Sequence, residues 1–399
     1  MKWENRGSEL EIIGAKMKQK KTIIFYGVDE QTIEIFRKVE FLRCNVIFCD
    51  GNLAGQSIGS SIIYTLDEIL PKLLQKESFL VITTDDREEQ ILLKKKLILK
   101  ELKENEDFFE AGVFERVYLP LWAYYSYGKC YVNFINHIPN YTCTLKCKNC
   151  SASIPYLKQK NPDVEQMKRE IDLFFSKVDF CYTYDCTGGE TFIVSDKLVE
   201  VLSYLLQFYG DRIGKIAITT NATVIPTDNM LRFLAEHKDM LDISISEYQT
   251  VSGWKEKCDA FIDTLNAWKI PAYLVKASSW IDFGFRETTL RKDNQEMEAY
   301  FDECGNFCRA YINGKLYYCG HGHWANSAFY SKEGLDDDEA INFRDENLTK
   351  SMILEYNLGY VQNGFLRICR HCKGWGTRNK CHIPVAEQIE DNRVKVREV

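Results

Sequence analysis

Three cysteines, Cys143, Cys147 and Cys150, sit in one short run, Tyr141-Thr-Cys-Thr-Leu-Lys-Cys-Lys-Asn-Cys-Ser151. The C-x3-C-x2-C spacing offers three thiolates from a single loop, one fewer than a structural zinc or a closed iron–sulfur cube takes. A four-iron cube held this way keeps one iron open to a reactant. Two other readings use the same residues. One is a zinc site completed from a distance, for example by His137. The other is plain burial, since a free cysteine behaves as a small hydrophobe.

Further polar groups stand where strands are expected to end. Strands are predicted at Val132–His137, Phe180–Asp185, Lys215–Thr220, Leu241–Ser246 and Ala272–Lys276, with helical stretches near 163–177, 195–209, 227–238 and 256–268. Alternation of this kind implies a parallel sheet and suits a partial (β/α)6 TIM-type barrel, whose active loops gather at the carboxyl ends of the strands. The cysteine run follows the first strand and Gly188-Gly189-Glu190 the second. Thr220 and Asn221 end the third, Ser244, Ser246 and Glu247 the fourth, and Lys276 the fifth. Polar residues at successive strand ends are the pattern of a built pocket. Glu247 and Lys276 suit a polar substrate or proton transfer, or a surface ion pair.

On these residues the segment resembles the radical S-adenosylmethionine (SAM) superfamily. The resemblance implies that Cys143, Cys147 and Cys150 hold a [4Fe-4S] cluster whose open iron takes the methionyl amine and carboxylate of SAM. It further implies that Gly188, Gly189 and Glu190 form the family's GGE motif, the glycines letting the backbone approach the methionyl group and Glu190 accepting from its amine. Thr220 and Asn221 fall where the family contacts SAM, and Ser244 or Ser246 would reach the ribose. The position before the third cysteine, aromatic in many members, is Asn149 here.

The later cysteines extend the resemblance to the SPASM/Twitch branch. Cys304, Cys319, Cys369 and Cys372 supply four thiolates, enough to close one auxiliary [4Fe-4S] cluster, with Cys308 and Cys381 left over. Whether Cys304 or Cys308 is the first ligand is open. A mixed zinc site from Cys369, His371, Cys372, Cys381 and His382 competes. A cysteine free of iron, with Cys308 a candidate, would return a hydrogen in an epimerisation. His321 and His323 follow Cys319 directly and fit either acid–base work on a substrate or structural hydrogen bonding.

The whole chain bounds these readings. Its 399 residues allow two to three domains, 45% apolar and 27% charged residues are ordinary for a globular protein, and the net charge of −7 argues against nonspecific nucleic-acid binding. No apolar run approaches the roughly 18 to 20 residues of a membrane span. Nothing directs export, so the 15 cysteines are read as reduced thiols and the location as cytoplasmic. Cys44, Cys49, Cys181, Cys186 and Cys258 are expected to be ordinary buried thiols.

Residues 20–128 read as a small Rossmann-like α/β domain, 129–290 as the barrel, and 291–399 as a cysteine-rich α+β auxiliary-cluster domain. In the first, Thr22–Tyr26 and Asn45–Cys49 are strands, and Asp50 follows Gly27 at about the roughly 20-residue spacing that places a ribose-reading acid. Gly27-Val-Asp-Glu-Gln-Thr lacks the G-x-G-x-x-G turn, so nucleotide binding and simple docking both stay open. The aromatic run Tyr118–Tyr127 is expected to pack this unit against the barrel. The unit resembles the small nucleotide-binding-like domains of polysaccharide and nucleotide-sugar pathways, and together the two resemblances imply, as leading function, oxidation or epimerisation of a sugar or nucleotide-sugar by hydrogen abstraction, with flavodoxin or ferredoxin as electron donor. A ribosomally made peptide is the second substrate class, and a zinc-stapled binding protein the non-enzymatic alternative.

Overall fold

The computed structural model describes residues 8–158, 160–331, 339–376 and 379–389, and they form two compact units that divide after Tyr131. Both are α/β.

The first unit is built on a six-stranded sheet of β1 (Thr22–Tyr26), β2 (Asn45–Cys49), β3 (Ser57–Ile58), β4 (Ser61–Tyr64), β5 (Ser78–Ile82) and β6 (Phe108–Glu110). The order is β3-β4-β2-β1-β5-β6, parallel throughout except for the β3–β4 hairpin. The apolar runs Thr22–Tyr26 and Ser78–Ile82 fill the centre because such strands are buried on both faces by crossover helices. Helix starts are written locally: Asp29 with Thr32, and Thr65 with Glu68, form capping boxes that satisfy the first free N–H groups.

Two features of this unit bear on the sequence reading. The Asp50 carboxylate closes its own loop, accepting from the Val28 N–H at 3.1 Å, Asn52 N–H at 2.8 Å and Leu53 N–H at 3.0 Å, so a ribose would have to displace backbone donors. The aromatic run, as helix Leu119–Tyr127, builds the unit's own core. Trp122 sits edge-on to Phe79 at 4.9 Å and donates from Nε1 to the Lys20 carbonyl at 3.0 Å.

The second unit carries an eight-stranded sheet. Its strands are β7 (Tyr131–Asn136), β8 (Phe180–Asp185), β9 (Ile213–Thr220), β10 (Leu241–Ser246), β11 (Tyr273–Val275), β13 (Ala310–Ile312), β14 (Lys315–Tyr317) and β15 (Ile341–Asn342). A separate ribbon pairs β12 (Trp280–Ile281) with β16 (His382–Ile383). The order is β11-β10-β9-β8-β7-β13-β14-β15. The five predicted strands therefore stand in chain order, and their carboxyl ends share one rim. The sixth parallel strand, β13, stands beside the first rather than beyond the fifth, and β14 and β15 continue from it antiparallel. For this reason the segments read as 129–290 and 291–399 share one sheet. An aromatic cluster of Phe174, Tyr311 and Phe343 packs beneath that junction.

Candidate functional site

The cysteine loop is pinned to the strand ends through the turn after β8. Gly189 donates its N–H to the Asn140 carbonyl at 3.0 Å, and Glu190 donates to Thr142 at 2.8 Å. A Cβ on Gly188 would stand 2.5 Å from the Asn140 oxygen, and one on Gly189 would fall on the Thr142 carbonyl. The two glycines are needed first for this backbone-on-backbone approach to the cysteine loop.

Glu190 is fully buried. Its carboxylate accepts from the Thr220 hydroxyl at 2.7 Å, the Asn221 N–H at 2.8 Å and the Phe192 N–H at 3.2 Å. Burial pushes its pKa up, and these donors oppose the shift. Four lone-pair positions serve these three donors.

Asn221 completes the connection. Its side-chain nitrogen lies 3.5 Å from Cys143 Sγ and 3.1 Å from Thr144 Oγ1, and its carbonyl accepts from the buried Trp254 indole at 2.7 Å. Ser244 shares a hydrogen bond with Thr219 at 2.9 Å, and Ser246 hydrogen-bonds Tyr248, which packs beside Cys147. Glu247 accepts from Gln249 at 2.6 Å, and Lys276 is exposed just past β11.

The three loop thiols feel one another electrostatically. Burial pushes Cys143 up to about 11 and Cys147 up to about 12. Without a cation these groups would stay protonated. A soft metal deprotonates a coordinating thiol outright, so the donor set fits an iron–sulfur group and is costly as bare thiolate. Donors already point at the sulfurs: the Leu145 N–H at Cys143, and Gln388 Nε2 at Cys147 at 3.3 Å. Gln388 is a member that sequence reasoning missed; no motif or local spacing marks it.

A second thiol group forms in the same unit. Cys304, Cys319, Cys369 and Cys372 each lie within Coulombic reach of the other three. Asn306 Nδ2 approaches Cys319 Sγ at 3.0 Å, and the N–H groups of Gly322 and Gly374 approach Cys319 and Cys372 at 3.2 Å each. Cys308 is buried with Ile138, Ala310 and Trp324 in a cluster that Cys143 and Cys150 pack against, and it too lies within Coulombic reach of Cys319. Its ionisable neighbours are Asp185, Cys319 and Arg309, and burial raises its pKa steeply.

The competing zinc sets fare differently. His137 is buried with both ring nitrogens engaged, Nδ1 by Tyr184 and Nε2 by Glu170 at 3.1 Å. His371 uses Nδ1 on the Thr288 carbonyl, while His382 on β16 bonds Ser279 and Cys381 is exposed. Among the described residues no three His, Cys, Asp or Glu side chains converge as one metal ion requires. A cube asks for no such convergence, because each thiolate sits on a different iron.

His321 stacks parallel to Trp375 and lies 5.0 Å from Phe283; desolvation pushes its pKa down to about 4. It is neutral near pH 7 and donates from Nδ1 to the Ser151 carbonyl at 3.4 Å, which favours the structural reading over acid catalysis. His323 is buried against the Tyr317 ring. Among the buried thiols, Cys49, Cys181, Cys186 and Cys258 lie in core settings, with Cys44 half-buried. A cleft of about 190 Å³ opens beside Cys150, lined by Lys148, Tyr156, Asp282, Phe283 and Arg286 among others. The Arg286 guanidinium lies over the rings of Tyr156 and Phe329.

Among solved structures, this chain is similar to native anSMEcpe with bound AdoMet and Cp18Cys peptide at 14% identity, covering 36% of this chain and 43% of that one, with a TM-score of 0.30. It thus spans less than half the length of that structure. BtrN in complex with AdoMet and 2-DOIA aligns at 11% identity over 64% of this chain and 97% of that one, with a TM-score of 0.38. SuiB from Streptococcus suis bound to precursor peptide SuiA aligns at 13% over 64% and 60%, with a TM-score of 0.30. Scores this low carry no argument about substrate. No curated protein sequence matches the chain. The family model of the Radical SAM superfamily matches residues 138–251, so the segment that holds the cysteine loop, the Gly188–Glu190 turn and Asn221 carries the signature of that superfamily.

Proposed function

We propose that the chain is a radical SAM enzyme acting on a sugar or nucleotide-sugar, by dehydrogenation or epimerisation at carbon. The observation that carries the radical SAM part is the linkage of three loops: Glu190 holds the Thr220–Asn221 turn, and Asn221 reaches Cys143. Reductive cleavage of SAM at a [4Fe-4S] cluster supplies a 5′-deoxyadenosyl radical able to take a carbon-bound hydrogen. Cys143, Cys147 and Cys150 would hold that cluster. The free acceptor position on Glu190 would take the amine of SAM, and Ser244 and Ser246 lie at the next strand end for its ribose. Trp254 and Glu190 hold the Asn221 backbone, and Thr223 donates from its N–H and hydroxyl to Asn221 Oδ1 at 3.0 and 2.6 Å, which leaves the amide nitrogen toward the sulfur.

The mutual proximity of Cys304, Cys319, Cys369 and Cys372 supports one auxiliary [4Fe-4S] cluster of SPASM/Twitch type, with Cys304 rather than Cys308 as first ligand. The ordered run β7 to β11 supports a partial barrel, and the β4-β2-β1-β5-β6 order a Rossmann-like first unit. Substrate would enter the cleft beside Cys150, where Lys148 is paired with Glu387 at 3.2 Å and Arg286 is the group suited to an anion such as a phosphate, among the carboxylates Asp282, Glu287 and Glu387. A peptide is the second substrate class. Cytoplasmic location and a flavodoxin or ferredoxin donor complete the proposal; among the described residues no helix is long and apolar enough to cross a membrane.

Anaerobic reconstitution with iron and sulfide counting tests it. Wild type should bind about eight irons, two cubes, and a Cys143/Cys147/Cys150→Ala variant about four. SAM cleavage to 5′-deoxyadenosine should vanish in the variant. An unchanged iron count removes the first site, and a zinc-only protein supports the binding-protein alternative. In deuterated buffer, one solvent deuterium fixed at carbon marks epimerisation, whereas loss of two hydrogens marks dehydrogenation.

A further inference from the structure

Residues 385–389 run alongside the cysteine loop although they are far away in sequence. Gln388 forms a bridge with Cys147, the Lys148 N–H donates to the Glu387 carbonyl at 2.7 Å, and the Ile389 N–H donates to Lys146 at 2.9 Å. The Gln388 side chain uses both ends. Its Oε1 accepts from the Lys146 N–H at 2.8 Å, and its Nε2 donates to Cys147 Sγ at 3.3 Å and to the Ala386 carbonyl at 2.7 Å. These partners fix the amide's orientation, because a flipped amide would set oxygen against two acceptors and nitrogen against an N–H. Val385 and Ala386 are buried against Cys147, with Leu145, Cys150, Tyr248 and Trp280 packed around them. Thr250 ties the segment down by donating to the Val385 carbonyl at 2.8 Å.

We infer that residues 385–389 are a strap that seals the Cys143–Cys150 loop, and that Gln388 is a positioning residue whose amide biases the reduction potential of the iron–sulfur group held there. This rests on the cluster assignment proposed above. A hydrogen bond to a cluster sulfur stabilises the more negative, reduced state, and exclusion of water around the sulfur sets the same potential. Cys147 is the thiol that the strap covers, so Gln388 acts on the cluster through one identified ligand. The auxiliary thiols receive their donors from Asn306, Gly322 and Gly374, so the effect is confined to the first group.

The experiment uses full-length, anaerobically loaded protein with Gln388→Leu and Gln388→Glu. Iron and sulfide are counted first, and each cluster's midpoint is then followed by electron paramagnetic resonance during a redox titration. Both variants should keep the wild-type iron content. The cluster on Cys143, Cys147 and Cys150 should become harder to reduce, by about tenfold in its reduction equilibrium, or about 59 mV for one electron. Gln388→Glu should shift further because it places a negative charge beside the thiolate. It keeps an acceptor for the Lys146 N–H, so Lys146 amide exchange should quicken in Gln388→Leu only. An unshifted midpoint in both variants overturns the inference. A wild-type protein that takes up no iron at Cys143, Cys147 and Cys150 instead overturns the functional reading beneath it, and the iron count tells the two failures apart.

Discussion

Asn221, at the end of β9, directs its side-chain amide at Cys143 from 3.5 Å while its own backbone N–H is held by the buried Glu190 carboxylate at 2.8 Å. One residue thus joins a metal-ligand candidate to the glycine-rich turn. A hydrogen bond to a charged group is worth about 1.5–3 kcal/mol. Asn221→Asp replaces the donor with a second negative group beside the sulfur, so SAM cleavage should fall at least tenfold. Asn221→Ala should fall less. Deoxyadenosine formation, read beside iron content, checks the order.

Gly189 has no room for a side chain, because its Cβ would meet the Thr142 carbonyl. The obstacle is backbone, so it cannot swing aside. Gly189→Ala should destabilise the second unit by about 1–3 kcal/mol, visible in calorimetry, and should loosen iron at the first site. A variant with wild-type melting and iron content would show that the loop has slack.

Cys304 and Cys308 separate two readings of the later cysteines. Cys304 lies within Coulombic reach of Cys319, Cys369 and Cys372, whereas Cys308 reaches Cys319 from a cluster that Cys143 and Cys150 pack against. Cys304→Ala should bring the iron count from about eight to about four, and Cys308→Ala should leave it near eight. The reverse result would make Cys308 the ligand.

In the first unit, Asp107 is fully buried and meets Lys20 at 3.2 Å and Lys76 at 2.6 Å. Burial alone would raise its pKa. Hydrogen bonds from Lys76, the Lys103 N–H and Lys20 win, and its carboxyl titrates below the ordinary aspartate value. A depressed carboxylate contributes stability above the unfolded pKa of about 4 and loses it as pH falls through the folded value. Asp107→Asn leaves Lys20 buried without its charge partner, so this unit should lose about 3–5 kcal/mol near pH 7. The gap to wild type should narrow steadily below about pH 4. Hydrogen exchange of β1 and β5 amides against pH reads this unit by itself.

The positions of β7 to β11 were legible from the sequence, because each predicted strand is an apolar run closed by polar residues and the first four are followed by a helical period. Phe180–Asp185 and Leu241–Ser246 fall where the pattern placed them. The place of β13 was not legible. Ala310–Ile312 is too short to show a period, and it pairs with β7 from across the chain. The aromatic run Tyr118–Tyr127 shows a related limit: composition reports that rings will be buried, not that Trp122 meets Phe79.

What the sequence determined by itself is the chemical inventory. Three thiolates on one loop and a glycine pair before an acid are facts of residue type and short spacing, and short spacing survives folding; the six late cysteines are facts of residue type alone. The tertiary structure decided the contacts that depend on distance across the chain. It grouped Cys304 with Cys319, Cys369 and Cys372, used up both nitrogens of His137, closed the Asp50 loop, and laid Gln388 on Cys147. Hydrogen bonds and Coulombic contacts depend on separation in space, and only the packed sheet brings residues 147 and 388 together.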